Sequence, residues 1–358
     1  MQDKPYIVIM AGGIGSRFWP YSRNRHPKQF LDILGTGRTL LQMTYDRFRE
    51  IVPPDRFFVV TNQSYLALVK EQLPELSPDQ ILAEPLRRNT ATCNAYAAYK
   101  IHAIDPEATL IVTPSDQLIL QESRFLAIVE QAVQAAKMDD RLITLGIRPN
   151  RPDTGFGYIQ YLDNEDGQEV MKVKTITEKP SLKLARTFLE SGDFVWNSGM
   201  FVWKASSLLK AFHDNMPDVA EAFEDGRAHF GKPTEQEFIN RAYTLVKNVS
   251  IDNGIMEKSD NVYVITGDYG WSDIGSWNTL HKMRERDELN NVVEANALLY
   301  DTDNCYVKMD SDKLVVVEGL SNYLINESEN VLLICKLDGD RKFKDFMANA
   351  KKKGEDFV

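Results

Sequence analysis

The stretch YIVIMAGGIGSRFWPYSRNRHPKQF, residues 6–30, limits what this chain can fold into more than any other. Tyr6 to Met10 is a short apolar run, the mark of a buried strand. It breaks at Ala11-Gly12-Gly13-Ile14-Gly15-Ser16, which must be a tight loop with exposed backbone. Glycine lets N–H groups approach a ligand closely, and successive N–H groups in a turn form an anion-binding hollow. Arg17, Arg23, Arg25 and Lys28 follow, with no acid before Asp32. Four cations so close together, in a chain of net charge −10, argue against a glycine turn that binds nothing. Pro20 and Pro27 each fix φ and remove a donor, so the segment is a non-helical excursion. We read it as a phosphate-binding strand and loop. It is not a P-loop, because Gly15-Ser16-Arg17 replaces Gly-Lys-Ser/Thr, nor a dinucleotide fingerprint, because Phe18 stands where the third glycine belongs.

A chain of 358 residues can hold one large domain and a small one. Apolar runs at 57–61, 81–84, 110–113 and 142–146 alternate with helical patterns near 40–51, 64–73, 90–104 and 123–137. That alternation predicts a Rossmann-like α/β domain: a mixed, mainly parallel sheet with helices on both faces and ligands at the carboxyl ends of the strands. From 150 to 285 the rhythm loosens, with extended segments at 157–162 and 170–178 and helices near 182–190, 205–214 and 234–243. Beyond 290, short β pieces follow one another at 296–300, 305–309, 314–318, 322–325 and 331–336 with no helix between them. This texture predicts a catalytic domain over 1–288 and a small β module over 289–358, compatible with a short solenoid. The closing KFKDFMANAKKKGEDFV reads as a solvated basic helix and tail.

The acidic balance speaks against nucleic acid as a partner. Cys93, Cys305 and Cys335 are isolated, which fits reduced thiols and no zinc site or disulfide framework. No run reaches transmembrane length and the start has no long apolar leader, so a soluble cytoplasmic protein with no membrane partner is expected. The oligomeric state, including a homodimer, is left open.

AGGIGSRFWPYSRNRHPKQF closely resembles the signature of sugar-1-phosphate nucleotidyltransferases, GG-x-G-[ST]-R-[LF]-x-P…S…x-PK. Trp19-Pro20 and Pro27-Lys28-Gln29-Phe30 look like the mannose-1-phosphate guanylyltransferase (GDP-mannose pyrophosphorylase) branch. The resemblance runs through several motifs from about residue 5 to 285. It implies Mg²⁺-assisted transfer of GMP from GTP to mannose 1-phosphate, and a left-handed β-helix-like C-terminal module. Within the loop it implies nucleotide contacts from Ala11, Gly12, Gly13, Gly15, Ser16, Arg17 and Lys28, with Arg17 and Lys28 catalytic.

Later motifs admit a plain and a functional reading. Glu84-Pro85-Leu86-Arg87-Arg88-Asn89-Thr90-Ala91 lies between a strand and a helix, where Asn89 and Thr90 suit N-caps. The family's EP-x-x-RNTA is similar and implies base recognition by Glu84, Arg88, Asn89 and Thr90, although Thr92-Cys93 replaces the usual Ala-Pro. Pro114-Ser115-Asp116-Gln117 resembles its PADH, with Gln117 for His, and implies nucleotide contacts from Pro114, Ser115 and Asp116. Asp116 is a helix cap or a metal ligand, and a nearby triphosphate favours the ligand, since Mg²⁺ takes one or two carboxylates plus phosphate oxygens. Gly270-Trp271-Ser272-Asp273-Ile274-Gly275-Ser276-Trp277 matches the family's GWSD-[VI]-GSW, which makes Asp273 the second ligand, against a plain role capping the next helix. Gly157, Tyr158, Glu178, Lys179, Asn197 and Gly199 match its sugar-phosphate site, and Asp252 with Lys258 would buttress it. The Asp-x-Asp pairs at 301/303, 310/312 and 338/340 read as turns. Alternatives are glucose 1-phosphate with UTP or dTTP, and a silent regulatory paralogue, which would be expected to have lost Arg17, Lys28 or an aspartate. With no cupin domain in view, phosphomannose isomerase activity is not expected.

Overall fold

The computed structural model describes residues 4–162, 169–339 and 342–358, and its contacts divide the chain into two compact units. The first comprises residues up to Gly12, Gln42–Ser115 and Ile119–Trp271; the second comprises Gly13–Leu41, Asp116–Leu118 and Ser272–Val358. Sequence texture set a boundary at 288. By spatial contact, the loop 13–41 and residues 116–118 group with the residues from 272 onward.

The strands up to residue 272 are β1 (Tyr6–Met10), β2 (Phe57–Asn62), β3 (Ile81–Glu84), β4 (Thr109–Pro114), β5 (Leu118–Ile119), β6 (Leu142–Ile147), β7 (Tyr158–Tyr161), β8 (Val170–Thr177), β9 (Phe194–Lys204), β10 (Val262–Gly267) and β11 (Trp271–Ser272). All but β5 and β11 form one sheet of order β3-β2-β1-β4-β9-β6-β10-β8-β7, and β7 also pairs with β9. Strands β9, β6, β10, β8 and β7 therefore close on themselves as a five-strand ring. The expectation of a mainly parallel sheet needs correction. Strands β3, β2, β1 and β4 are parallel, as are β6 and β10, but β9 runs antiparallel to both β4 and β6, and β8 with β10, β7 with β8 and β7 with β9 are antiparallel too. Strand periodicity reports burial and says nothing about direction, so the reversal at β9 left no trace in the apolar pattern.

Strands buried on both faces need cover on both, and here they have it. Tyr6, Val8, Phe58, Val60, Leu110 and Val112 join the large core with helices Asn89–Ile104, Ala205–Asn215, Pro217–Glu224 and Glu235–Leu245. Near the opposite face, the Tyr45 ring lies 4.5 Å from Phe57, and Phe48 lies 5.7 Å from Phe125 of helix Glu122–Met138. Helix Pro217–Glu224 was not foreseen. Pro217 sits at its first turn, where proline's missing N–H costs nothing.

In the second unit β12 (Val292–Glu294), β14 (Tyr306–Met309) and β16 (Tyr323–Ser328) stack in parallel, as do β13 (Ala297–Tyr300) and β15 (Val315–Glu318). Strand β17 (Val331–Lys336) folds back antiparallel on β16. Val307, Val317 and Ile325 fill the interior. The solenoid expectation rested on this rung-like recurrence. Asp301 has φ 47° and Asp303 accepts a bond from Ser321, consistent with turns, whereas Asp340 lies outside the described residues. The tail is not merely a solvated helix. Helix Phe343–Lys351 buries Phe343, and Val358 is buried as well.

Candidate active site

The second unit gathers three motifs that are far apart in sequence around one buried ammonium. Lys28 is 4 % exposed, and its Nζ donates to Asp116 Oδ2 at 3.0 Å, to the Asp116 carbonyl at 3.3 Å and to the Asp273 carbonyl at 2.8 Å. Gly15 makes this possible. Its φ of 62° is left-handed, and a Cβ there would lie 2.4 Å from Lys28 Cβ and 2.9 Å from Ser22 Oγ. Gly13 is different, since a Cβ would meet nothing within 4 Å, and Gln29 holds its carbonyl at 2.9 Å. Arg17 is exposed and reaches the Gly275 carbonyl at 3.5 Å, while Ser16 opens the short 3-10 turn Ser16–Phe18.

Asp273 does not cap the following helix. Ser276 does, accepting from Thr279 N, while Asp273 Oδ1 accepts from Gly275 N at 3.1 Å. Burial raises the Asp273 pKa; Lys28 opposes this and the charge of Asp116 adds to it. Two carboxylates that repel each other beside a single lysine suit a hard divalent cation whose remaining ligands are phosphate oxygens and water. Among the described residues no group of three or more His, Cys, Asp and Glu side chains is placed to hold a metal unaided.

Two of the loop's cations are engaged elsewhere, Arg23 by burial and Arg25 in an exposed ion pair. Arg23 is buried, with Nη2 donating to the Ser328 carbonyl at 2.7 Å, and Arg25 pairs with Glu329. The sequence reading counted both as free positive charge. Their partners lie some three hundred positions later, beyond the reach of local pattern.

The first unit carries the remaining candidates at the carboxyl ends of its strands. The Ala11 amide donates to the Val60 carbonyl at 2.8 Å, and the Ser115 amide, after Pro114, donates to the Met10 carbonyl at 3.1 Å. Glu84 closes β3 and is buried; Oε1 accepts from the Tyr243 hydroxyl at 2.9 Å, and Oε2 would lie 3.3 Å from a Cβ on Gly12. Burial pushes its pKa up to about 7 against the opposing Tyr243 bond and Arg87 charge. Arg88 Nε donates to the Tyr243 carbonyl at 2.9 Å, Asn89 sits at φ 66°, and Thr90 Oγ1 accepts from Ile251 N at 2.9 Å. Neither Asn89 nor Thr90 occupies the N-cap, which falls to Arg88 without a side-chain bond.

A second cluster surrounds Asn197 of β9. Its amide nitrogen donates to Asp252 Oδ1 at 2.6 Å, and its Oδ1 accepts from Gly199 N at 3.0 Å and Thr144 Oγ1 at 3.3 Å. A Cβ on Gly157 would lie 2.5 Å from Glu178 Oε2, so glycine leaves that carboxylate its space. Lys179, at φ 44° and exposed, pairs with Glu178 at 2.9 Å. The Tyr158 hydroxyl is engaged by the Asp153 backbone at 3.0 Å, and its main chain lies between β8 and β9, opposite Thr177 and Trp196. Asp252, given only a supporting part by sequence, heads a π-turn (Asp252–Met256) and bonds Asn197 directly. Burial raises its pKa to about 6, with the Asn197 bond opposing and the Glu178 charge adding. Its place in the stretch Ser250-Ile251-Asp252, matched to the family together with Lys258, was the available signal.

A family model described as nucleotidyl transferase matches residues 6–289. The chain is 33 % identical over 363 residues to mannose-1-phosphate guanylyltransferase of Escherichia coli K12, covering 99 % of this chain and 75 % of the relative. It is 34 % identical over 352 residues to xanthan biosynthesis protein XanB of Xanthomonas campestris pv. campestris strain B100, covering 97 % and 73 %. A solved structure described as mannose-1-phosphate geranyltransferase from Thermus thermophilus superposes with TM-score 0.85 at 30 % identity, covering 97 % of this chain and 99 % of that one.

Proposed function

The chain belongs to the nucleotidyl transferase family, and from that premise we propose that it transfers GMP from GTP to α-D-mannose 1-phosphate, yielding GDP-mannose and pyrophosphate. The observation that carries the proposal is the convergence of Lys28, Asp116 and Asp273, an arrangement suited to gathering phosphates. The names of the relatives supply the substrate pair.

A phosphate oxygen of mannose 1-phosphate attacks the α-phosphorus of GTP. The new P–O bond forms as the bond to the bridging oxygen breaks, and pyrophosphate leaves with the electron pair. Such transfer asks for positioning and charge neutralisation, with no covalent catalyst. The amides of Gly12 to Ser16 and the Arg17 guanidinium bind the β- and γ-phosphates. Lys28 neutralises charge growing at the α-phosphate, held ready by the contacts that already fix its ammonium. Asp116 and Asp273 would hold Mg²⁺, which when bound supplies positive charge to the phosphate oxygens. Glu84, Arg88, Asn89 and Thr90 recognise the base. Lys179 pairs with the sugar phosphate, and Glu178 and Asn197 hold sugar hydroxyls, with Gly157, Tyr158 and Gly199 shaping the site. We keep the division into a catalytic domain over 1–288 and a module over 289–358, and read the parallel rungs as a short left-handed β-helix. The acidic, cysteine-poor composition and these substrates fit the cytoplasm.

Initial rates with GTP, ATP, UTP and dTTP against mannose 1-phosphate and glucose 1-phosphate test the proposal. GTP with mannose 1-phosphate should be the preferred pair by at least about tenfold in kcat/KM. Preference for glucose 1-phosphate with UTP or dTTP would overturn it.

A further inference from the structure

Arg23 lies inside the phosphate-loop segment yet spends its side chain elsewhere. Its guanidinium belongs to a residue 2 % exposed. Nε donates to the Pro20 carbonyl at 3.2 Å, Nη1 to Asn330 Oδ1 at 2.9 Å and the Asp356 carbonyl at 2.7 Å, and Nη2 to the Ser328 carbonyl at 2.7 Å. Glu329 adds an ion-pair contact at 3.3 Å. A buried charge is tolerated only when paired and hydrogen-bonded, and these partners meet both demands. Beside it Trp19 Nε1 donates to the Phe357 carbonyl at 2.7 Å. The same loop is thus pinned at two points to the last residues of the second unit.

The pin has a direct line to Lys28. Ser22, adjacent to Arg23 and fully buried, donates from its amide to the Phe18 carbonyl at 2.9 Å and from Oγ to the Ile14 carbonyl at 3.0 Å. A Cβ on Gly15 would strike both Ser22 Oγ and Lys28 Cβ, so Ser22, Gly15 and Lys28 are packed without slack. In an interior of that density a shift at residue 23 must be passed on to Lys28. We propose that Arg23 is a positioning residue for the nucleotidyl transfer, holding Gly15 to Lys28 in register by using Ser328, Asn330 and Asp356 as a template. This rests on the function proposed above. Lysine cannot replace it, because three donors on one point do not span diverging carbonyls as a planar fork does.

The test measures kcat and both KM values for Arg23→Met, Arg23→Lys and Asn330→Ala in the full chain, with amide hydrogen exchange of residues 13–30 and 89–104 in parallel. Arg23→Met should lower kcat by about a hundredfold, the cost of misplacing a catalytic group by roughly 1 Å. Its KM for mannose 1-phosphate should stay within about twofold, since no sugar contact is lost. Arg23→Lys should recover only part of kcat. Exchange should quicken at 13–30 and not at 89–104. A folded Arg23→Met with kcat within about threefold of the wild type, or a KM loss in place of a kcat loss, overturns the proposal. If Arg23→Met does not fold, Asn330→Ala decides. A kcat lower by about fivefold, the worth of one hydrogen bond, supports the proposal, and an unchanged kcat overturns it. Should the wild type make no GDP-sugar, the functional reading fails by itself, and the exchange at 13–30 in the variants still judges Arg23.

Discussion

Lys28→Met separates the binding and catalytic parts of the phosphate loop. Methionine keeps most of the stem that packs near Phe18 and deletes only the charge. Three hydrogen bonds disappear, to Asp116 Oδ2 and to the carbonyls of Asp116 and Asp273. A bond to a charged partner contributes about 1.5–3 kcal/mol. Three such bonds would sum to at least about 4.5 kcal/mol. The Asp116 side chain is 40 % exposed, however, and deleting a buried ammonium also removes its desolvation cost, so the net stability loss is about 2 kcal/mol. That lowers the melting temperature by several degrees and leaves the chain folded. Removal of one preorganised donor at a site of developing charge costs about 2.7–4 kcal/mol, or roughly a hundred- to a thousandfold in kcat. Steady-state pyrophosphate release at varied GTP reads the two apart. The expected result is a collapsed kcat with KM for GTP changed far less. A variant retaining more than about a tenth of kcat, a loss under ~1.4 kcal/mol, while its KM rises, would make Lys28 a binding residue only and refute the reasoning.

The other predictions draw on single contacts. Gly15→Ala should abolish activity and lower the melting temperature, whereas Gly13→Ala, which meets nothing within 4 Å, should leave the melting temperature unchanged; equal effects on stability would contradict the loop geometry. Asp116→Ala and Asp273→Ala should each cut kcat by more than about tenfold at saturating Mg²⁺, and either variant keeping its kcat is no ligand. Lys179→Ala should weaken mannose 1-phosphate by about ten- to a hundredfold and leave GTP binding to the free enzyme untouched, as direct titration with each substrate would reveal. Glu84→Gln should flatten the pH dependence of stability. The folded Glu84 pKa, near 7, lies above the ordinary glutamate value, so its contribution is full below that ordinary value and is lost as pH rises through about 7, amounting to about 3 kcal/mol. Parallel denaturation profiles for wild type and variant would remove that role from Glu84.

Legibility followed the range of the interactions. Strand β3 at 81–84 and helix Asn89–Ile104 came directly from local apolar pattern, because burial on a strand or helix face is written in neighbouring residues. The antiparallel entry of β9 did not, since direction is set by where the chain returns. Asp116 and Asp273 were named from motif resemblance, but their meeting around Lys28 is a long-range fact no spacing encodes. The loop arginines marked the limit of composition as a guide. Their charge suggested phosphate binding, and only three-dimensional partners reveal that Arg23 and Arg25 answer Glu329 and the backbone around it. Asp252 was under-read for the same reason, as its Asn197 contact crosses 55 positions.

The central claim is attack by mannose 1-phosphate on the α-phosphorus of GTP, and positional labelling tests it most directly. With GTP labelled at the α-phosphorus, the account predicts that all transferred label enters GDP-mannose. With the label at the γ-phosphorus, all of it should leave in pyrophosphate, in equal molar amount and at the same rate. Label from the γ position in a sugar product, or α-label left in GDP, would mean transfer of a different phosphoryl group and would contradict the account.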